Sequence, residues 1–229
     1  MPSRGVLYVV WDRFFNPAMQ ATLDRSIASV KQLHPELPVK IHDLPKGASL
    51  VDKAGMMEWT PFDTTLFLDA DTVVLDRLDF GFEMAERHHL ACCICEAPYA
   101  RRYPHAVSGD LIEYNTGVLF FDRAPLTREL FARWAELART ADSRLPIRFV
   151  NGQLDEMPCN DQCGFAMAVH ELAFNPFVLP LNWNLRAQWQ KVVYGPIKVW
   201  HSYEPIPPIV GQFNAAMQPP NIMNFVRLP

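Results

Sequence analysis

Short apolar runs alternate along this chain with longer segments in which apolar residues recur every third or fourth position. Unbroken or alternating apolar runs are typical of strands, and the longer periodicity indicates amphipathic helices. The pattern predicts strands at 6–10, 39–42, 64–68, 90–95, 114–121, 174–178, 192–194 and 197–201, and helices at 17–33, 49–59, 83–89, 126–140 and 161–170. Because strands and helices alternate, we expect an α/β fold with a mostly parallel central sheet flanked by helices.

The first strand, helix and second strand have clear boundaries in the sequence. Asn16 precedes Pro17, which is a favourable pair for the cap and the first position of a helix. His34 and Pro35 end the helix, and an alternating strand follows. A strand, helix and strand of this length predict a parallel crossover.

Two aspartates, Asp69 and Asp71, directly follow the apolar run 64–68, and a second apolar run begins at once. Side chains at i and i+2 of an extended segment point the same way, so both carboxylates can face one object. They would also lie at the carboxyl end of a strand, where open α/β sheets bind ligands. Two close carboxylates repel unless a cation or a shared proton lies between them. The pattern therefore indicates a site for Mn²⁺ or Mg²⁺, and the alternative is a polar loop that merely ends a strand.

The C-terminal segment is rich in proline, with six prolines from residue 205 onwards. We therefore expect residues 204–229 to form an extended, irregular tail on the surface, packed on a single domain of residues 1–203, and not a helix.

The composition describes an ordinary folded domain. It is 49% hydrophobic and 20% charged, with a net charge of −4, which argues against a nucleic-acid or membrane-surface binder. No apolar run is long enough to span a membrane, and the first apolar run is a strand, not a signal peptide. The five cysteines are odd in number and three of them crowd into one predicted strand, so we expect a reducing, cytoplasmic location.

Four other polar features could join the aspartates in a site. His201 ends an apolar strand, 115–117 combines an amide, a hydroxyl and a glycine, 160–162 precedes or begins a helix, and Lys53 lies in a predicted helix. Each also has a structural explanation: a capped strand end, a turn or bulge, a helix cap and a solvated lysine. The polar loop 97–113 is long enough to suggest a function.

Together these motifs resemble family 8-like glycosyltransferases of the GT-A fold, over most of the chain from Val6 to about Tyr203. The motifs that carry the resemblance are Asp69-Ala70-Asp71 after an apolar strand, Tyr114-Asn115-Thr116-Gly117-Val118-Leu119-Phe120-Phe121, Asn160-Asp161-Gln162, Leu179-Pro180-Leu181-Asn182-Trp183-Asn184, and His201.

The resemblance implies metal-dependent transfer of a sugar from a nucleotide-diphospho-sugar, with retention of anomeric configuration. It implies a UDP-sugar as donor and a glycan, protein or small molecule as acceptor. It also implies a Rossmann-like catalytic domain over residues 1–203.

Residue roles follow from the same resemblance. Asp69, Asp71 and His201 look like ligands of Mn²⁺ or Mg²⁺, and Asp161 and Gln162 look like the pair that lines the sugar face where the acceptor arrives. The donor-binding residues that it implies are Trp11, Asp12, Lys53, Asp69, Ala70, Asp71, Asn115, Thr116 and Gly117.

The segment after His201 departs from the family pattern. Family members carry a glycine and then a Lys-Pro-Trp whose lysine reaches the diphosphate, whereas Ser202 and Tyr203 follow here. Lys198, Lys191 or Arg186 could supply that cation instead.

Two other functions fit part of the pattern. The segment 66–73 also resembles the first motif of haloacid-dehalogenase phosphatases, although 68 residues precede Asp69 and no later aspartate pair is evident. A non-catalytic module that binds a nucleotide or sugar would explain the missing Lys-Pro-Trp.

Overall fold

The structure is a computed structural model, and it describes residues 3–11, 16–96, 112–141, 145–148, 151–157, 161–216 and 224–229. The α-helices are α1 Pro17–Leu33, α2 Met56–Trp59, α3 Asp79–His88, α4 Pro125–Thr140, α5 Asp161–Glu171 and α6 Pro208–Ala216. The strands are β1 Arg4–Val10, β2 Val39–Asp43, β3 Thr64–Leu68, β4 Thr72–Val74, β5 Leu90–Ile94, β6 Tyr114–Asp122, β7 Leu145–Arg148, β8 Leu154–Met157, β9 Phe177–Leu179, β10 Val192–Tyr194, β11 Val199–His201 and β12 Phe225–Arg227. Short 3₁₀ helices cover Leu50–Gly55 and Leu181–Trp183.

The central sheet has six strands in the order β2-β1-β3-β6-β5-β9. The pairs β1–β2, β1–β3 and β5–β9 are parallel, and β6 is antiparallel to both of its neighbours. Five strands therefore run in one direction and β6 runs against them. The predicted mostly parallel sheet is confirmed.

Helices cover both faces of this sheet because its strands are apolar on both sides. Along β1, Leu7 and Val9 face one buried cluster, whereas Val6 and Tyr8 face another. The first cluster includes residues of α4 and α5, and the second includes residues of α1 and α3. Such two-sided burial explains why the central strands read as continuous apolar runs.

The predicted boundaries of the first unit are confirmed. The side-chain oxygen of Asn16 accepts the backbone N–H groups of Ala18 and Met19 at 3.1 and 3.3 Å, and Pro17 occupies the first turn. The helix ends at Leu33 with His34 as its C-cap, and β2 pairs with β1 in parallel as predicted.

The prediction of a non-helical C-terminal tail is wrong. Pro208–Ala216 forms helix α6, and Phe225–Arg227 pairs with Val192–Tyr194. Pro208 is the first residue of the helix, where the missing N–H of proline costs no hydrogen bond. Val210 is buried in a third apolar cluster that includes Trp200.

Smaller differences concern element boundaries. The predicted helix 49–59 consists of a 3₁₀ helix followed by α2, and α3 begins at Asp79 instead of residue 83. The strand predicted at 174–178 is shorter, at Phe177–Leu179, and the hairpin of β7 and β8 was not predicted.

Two further sequence expectations can be compared with the described residues. Cys92 and Cys93 are buried and belong to different apolar clusters, so these neighbours face opposite sides of the sheet as predicted. Among the helices of the described ranges, none is both long enough and apolar enough to cross a membrane.

Candidate active site

The two aspartates lie in a tight turn between β3 and β4. The backbone N–H of Asp69 donates to the carbonyl of Gly117 at 2.8 Å, which extends the sheet by one hydrogen bond. The hydroxyl and the N–H of Thr72 then donate to the carbonyl of Asp69 at 2.8 and 3.2 Å. The chain therefore turns at residues 69–72 and leaves both carboxylates at the carboxyl end of β3.

Strand β11 brings His201 to the same point. It pairs antiparallel with β4 so that His201 lies opposite Thr72, and the N–H of Ser202 donates to the carbonyl of Asp71 at 3.0 Å. Nε2 of His201 lies 3.3 Å from a carboxylate oxygen of Asp71 and 3.8 Å from one of Asp69. One ligand atom from each of these three residues falls within 4.8 Å of the others.

This donor set fits a divalent cation. Carboxylate oxygens suit Mg²⁺ and Mn²⁺, and an imidazole is a common ligand of the transition metals. Gly117 forms the floor of the cluster, since a Cβ there would lie 2.3 Å from Cε1 of His201 and 2.7 Å from Oδ2 of Asp69. Only glycine leaves the three ligand side chains in their positions.

Lys53 is a buried cation beside the aspartates. Its Nζ donates to both carboxylate oxygens of Asp69 at 3.1 and 3.2 Å and lies 3.6 Å from Oδ2 of Asp161. Burial by itself lowers the pKa of Lys53, but the charges of Asp161 and Asp69 outweigh burial and raise it. The alternative of a solvated helix lysine is wrong.

Asp161 is fully buried at the start of α5. Its Oδ2 accepts the hydroxyl of Thr116 at 2.6 Å, whereas its Oδ1 has no hydrogen-bond partner among the described residues. Burial raises the pKa of Asp161, although the charge of Lys53 and the hydrogen bond from Thr116 oppose that rise. Thr116 is itself buried, so its hydrogen bond holds the carboxylate of Asp161 in position.

Asn115 and Gln162 lie next to this group and contact each other. Nδ2 of Asn115 donates to Oε1 of Gln162 at 3.1 Å, and Oδ1 of Asn115 accepts the backbone N–H of Gly117 at 2.9 Å. The structure thus brings together Lys53, Asp69, Asp71, Asn115, Thr116, Gly117, Asp161, Gln162 and His201.

Open space reaches the three candidate ligands from two sides. A cavity of about 230 Å³ is lined by Trp11, Ala70 and Tyr203 together with both aspartates and His201. A groove of about 590 Å³ runs from Asp71 and His201 past Arg186 and Lys191 to the C-terminal segment. Asp12, Asn160 and residues 97–111 of the polar loop lie outside the described residues.

Three lysine and arginine side chains could replace the missing family lysine, and their surroundings differ. Lys198 donates to Asp76 at 2.7 Å and lies over the ring of Trp183. Arg186 makes two hydrogen bonds to Glu96, at 2.9 and 3.0 Å. Lys191 lines the groove that begins at Asp71 and His201.

Sequence reasoning assigned no role to three residues at this site. Tyr203 lines both the cavity and the groove. Oδ1 of Asn184 lies 2.7 Å from Nδ1 of His201, and Glu113 accepts a hydrogen bond from Gln162. The sequence signal for Asn184 is its place at the end of the motif 179–184, and the only signal for Glu113 is a charged residue directly before an apolar strand.

Comparison with solved structures identifies the architecture. Apo mouse xyloside xylosyltransferase 1 superimposes with a TM-score of 0.58 at 14% identity, covering 90% of this chain and 100% of that one. The glycosyltransferase GlyE of Streptococcus pneumoniae gives a TM-score of 0.53 at 14% identity, and an active-site mutant of LgtC gives 0.50 at 16%. The chain has the GT-A fold.

The solved structures differ in how much of their own chain the match covers. The match covers 81% of this chain but 47% of GlyE, and 89% of both this chain and LgtC. Searches of protein-family models and of curated proteins find no match to the sequence. At 14–16% identity the structural likeness establishes the fold alone.

Proposed function

We propose that this protein is a metal-dependent glycosyltransferase that moves a sugar from a nucleotide-diphospho-sugar to an acceptor. The observation that carries the proposal is the convergence of Asp69, Asp71 and His201 at the carboxyl end of β3 in a GT-A fold. The solved structures of similar fold include a xylosyltransferase and a glycosyltransferase, which supports the same reaction class.

The charges around Lys53 support a divalent ion, Mn²⁺ or Mg²⁺. Asp69, Asp71 and Asp161 provide three carboxylates against the single ammonium of Lys53. A divalent cation would balance the remaining charge when all three carboxylates are ionised. Such an ion would neutralise the charge that develops on the leaving nucleoside diphosphate.

We place the nucleotide in the cavity that Trp11 lines. Ala70 and the candidate metal ligands line the same cavity, so a base packed on Trp11 would have its diphosphate within the cavity near them. The same orientation would bring the sugar towards Asn115, Asp161 and Gln162. Lys53 would act through Asp69 and Asp161, since it pairs with both carboxylates. A UDP-sugar is the donor that we expect.

Asp161 and Gln162 would then line the reacting sugar. Asp161 is fully buried and its Oδ2 accepts a hydrogen bond from Thr116, which suits an electrostatic role beside the sugar. Gln162 has a carbonyl oxygen that could stabilise positive charge on the sugar. We propose transfer with retention, in which Asp161 need not act as a covalent nucleophile.

Neither alternative is favoured by the site. A dehalogenase-type phosphatase would need Asp69 as its nucleophile, but the solved structures of similar fold compared above are glycosyltransferases. A non-catalytic module would keep the same fold, so only a measurement of activity can separate it from an enzyme.

We suggest incubating the protein with Mn²⁺ and a panel of UDP-sugars and GDP-sugars and measuring the nucleotide released. Free phosphate from simple monoesters would indicate the phosphatase, and metal-dependent binding without turnover would indicate the module.

Substitution of the ligands tests the metal assignment. We expect Asp71→Asn to abolish Mn²⁺-dependent release of nucleoside diphosphate while the circular-dichroism spectrum stays unchanged. His201→Ala should lose less activity, because the diphosphate of the donor adds ligands of its own. Full activity of Asp71→Asn at saturating Mn²⁺ would contradict the assignment.

A further inference from the structure

Five buried polar side chains form a continuous chain of hydrogen bonds that ends on His201. Nδ1 of His201 lies 2.7 Å from Oδ1 of Asn184, and Nδ2 of Asn184 donates to Oδ1 of Asn115 at 2.7 Å. Nδ2 of Asn115 donates to Oε1 of Gln162 at 3.1 Å, and Nε2 of Gln162 donates to Oε1 of Glu113 at 2.6 Å. All five residues are buried.

The donor and acceptor roles along this series of hydrogen bonds are fixed at two points. Oε1 of Glu113 accepts from the NH₂ group of Gln162, which leaves the carbonyl of Gln162 facing Asn115. Independently, the backbone N–H of Gly117 can only donate, and it donates to Oδ1 of Asn115. Both groups impose the same orientation on the amide of Asn115.

The orientation of Asn115 determines the next two residues. Oδ1 of Asn115 faces the NH₂ group of Asn184, so the carbonyl of Asn184 faces His201. An acceptor at 2.7 Å requires that Nδ1 of His201 carries a proton. In the neutral ring Nε2 then carries the lone pair, and Nε2 is the atom that faces Asp69 and Asp71.

We infer that Asn184 and Glu113 are positioning residues that hold His201 in the tautomer with a proton on Nδ1. A metal binds the unprotonated nitrogen of an imidazole, and the hydrogen bond at the other nitrogen sets which one that is. Asn184 acts directly on His201. Glu113 acts through Gln162, Asn115 and Asn184. The inference rests on the proposed metal site.

The series of hydrogen bonds also fixes the orientation of the side-chain amide of Gln162, the candidate catalytic glutamine. With its NH₂ group held by Glu113, Gln162 keeps its carbonyl oxygen beside Asn115, on the side where the donor sugar is proposed. A flipped amide would present NH₂ to the sugar and would repel positive charge there. One carboxylate therefore orients both the metal ligand and the sugar-facing amide.

Nitrogen NMR of the metal-free protein tests the tautomer without any turnover. We would label histidine with ¹⁵N, record spectra at a pH where His201 is neutral, and assign its signals by their loss in His201→Gln. We expect a protonated Nδ1 and an unprotonated Nε2. A proton on Nε2 in the unsubstituted protein would overturn the inference.

Variants then test the roles of Asn184 and Glu113. Asn184→Leu keeps similar bulk but removes both hydrogen bonds, so we expect mixed tautomers of His201 and Mn²⁺ affinity about tenfold weaker by calorimetry. Glu113→Leu should weaken Mn²⁺ binding and shift the His201 signals, whereas Glu113→Gln should restore both, because its carbonyl can accept from Gln162. Equal effects of the Leu and Gln substitutions at Glu113, or none, would overturn its role.

The two proposals fail in different ways. If His201 carries the expected proton but the unsubstituted protein binds no Mn²⁺, the tautomer inference stands and the metal-dependent function fails. If Mn²⁺ binds but the proton is on Nε2, the metal site stands and the inference fails.

Discussion

Gly117 lies at the floor of the candidate metal site, where no side chain fits. The Cβ of Gly117→Ala would lie 2.3 Å from Cε1 of His201 and 2.7 Å from Oδ2 of Asp69, so at least one candidate ligand must move. We expect Gly117→Ala to weaken Mn²⁺ binding by at least about tenfold, since metal affinity depends on ligand geometry. Calorimetric titration of the variant with Mn²⁺ measures this loss.

Gly211→Ala is the matched control for that substitution. A Cβ at Gly211 meets no atom within 4 Å, and the residue lies in helix α6. Alanine is a better helix former than glycine, so the control should bind Mn²⁺ normally and gain up to about 1 kcal/mol of stability. Equal Mn²⁺ affinity of the two variants would show that the ligand cluster tolerates a side chain at Gly117.

Sequence reasoning at the level of residues succeeded where the signal was local. Asp69 and Asp71 are two positions apart after an apolar strand, so their common direction followed from strand geometry. The approach of His201 required the pairing of β11 with β4, which links residues far apart in sequence. The sequence pattern marked His201 only as a polar residue that could join the aspartates, and the resemblance to a family implied its role as a ligand.

The burial of Lys53 and the role of Glu113 could not be predicted in this way. Both depend on packing between elements: Lys53 contacts Asp161 at the start of α5, and Glu113 contacts Gln162 of the same helix. No periodicity in the sequence indicates which helix covers the end of a strand.

At the scale of elements, helix α6 gives the clearest energetic prediction. Val210 is 1% exposed and packs in the cluster with Trp200, whereas its neighbour Ile209 is 41% exposed. We expect Val210→Ala to lower the free energy of unfolding by about 1–3 kcal/mol, because it leaves a small cavity in a packed cluster. Ile209→Ala is the control and should change it by less than about 0.5 kcal/mol. Urea denaturation followed by circular dichroism compares the two, and similar losses would mean that α6 is not docked through Val210.

The wrong prediction of a non-helical tail at residues 204–229 has a physical cause. The proline content of the whole segment favours an irregular tail, but a helix is sensitive to the position of each proline. Pro205 and Pro207 precede α6, and Pro208 is its first residue, so none of these three interrupts its hydrogen bonds.

The direction of β6 illustrates a second limit at this scale. Its apolar pattern predicted a buried strand correctly, and apolar residues on both faces fit a parallel or an antiparallel neighbour equally well. Strand direction depends on how the connecting segments run, which periodicity does not record.

At the scale of the whole molecule, Asp71 and His201 link stability to pH and to metal. Burial by itself lowers the pKa of His201, but the charge of Asp71, its hydrogen bond and the charge of Asp69 raise it above the ordinary value. Burial by itself raises the pKa of Asp71, and the charge and hydrogen bond of His201 outweigh burial and lower it. The metal-free protein therefore favours an ion pair between them.

The signs of these shifts give the pH range in which the pair stabilises the metal-free fold. For His201, whose pKa is raised, the contribution is complete below the ordinary histidine value of about 6.5 and is lost as the pH rises through the raised value. For Asp71, whose pKa is lowered, the contribution is present above the ordinary aspartate value of about 3.9 and is lost as the pH falls through the lowered value. The pair therefore stabilises the metal-free protein most in the mildly acidic range.

Metal binding should show the opposite dependence on pH. A cation needs the lone pair on Nε2 of His201, so below the raised pKa a proton competes with the metal for that atom. We expect the rise in Tm produced by 1 mM Mn²⁺ to be small at about pH 6 and to grow as the pH increases to about 8.5. Thermal scans with and without Mn²⁺ at a series of pH values measure it, with Asp71→Asn as the control that should show little shift at any pH. A Tm shift that is the same at every pH, or that persists in Asp71→Asn, would mean that Mn²⁺ does not bind between Asp71 and His201.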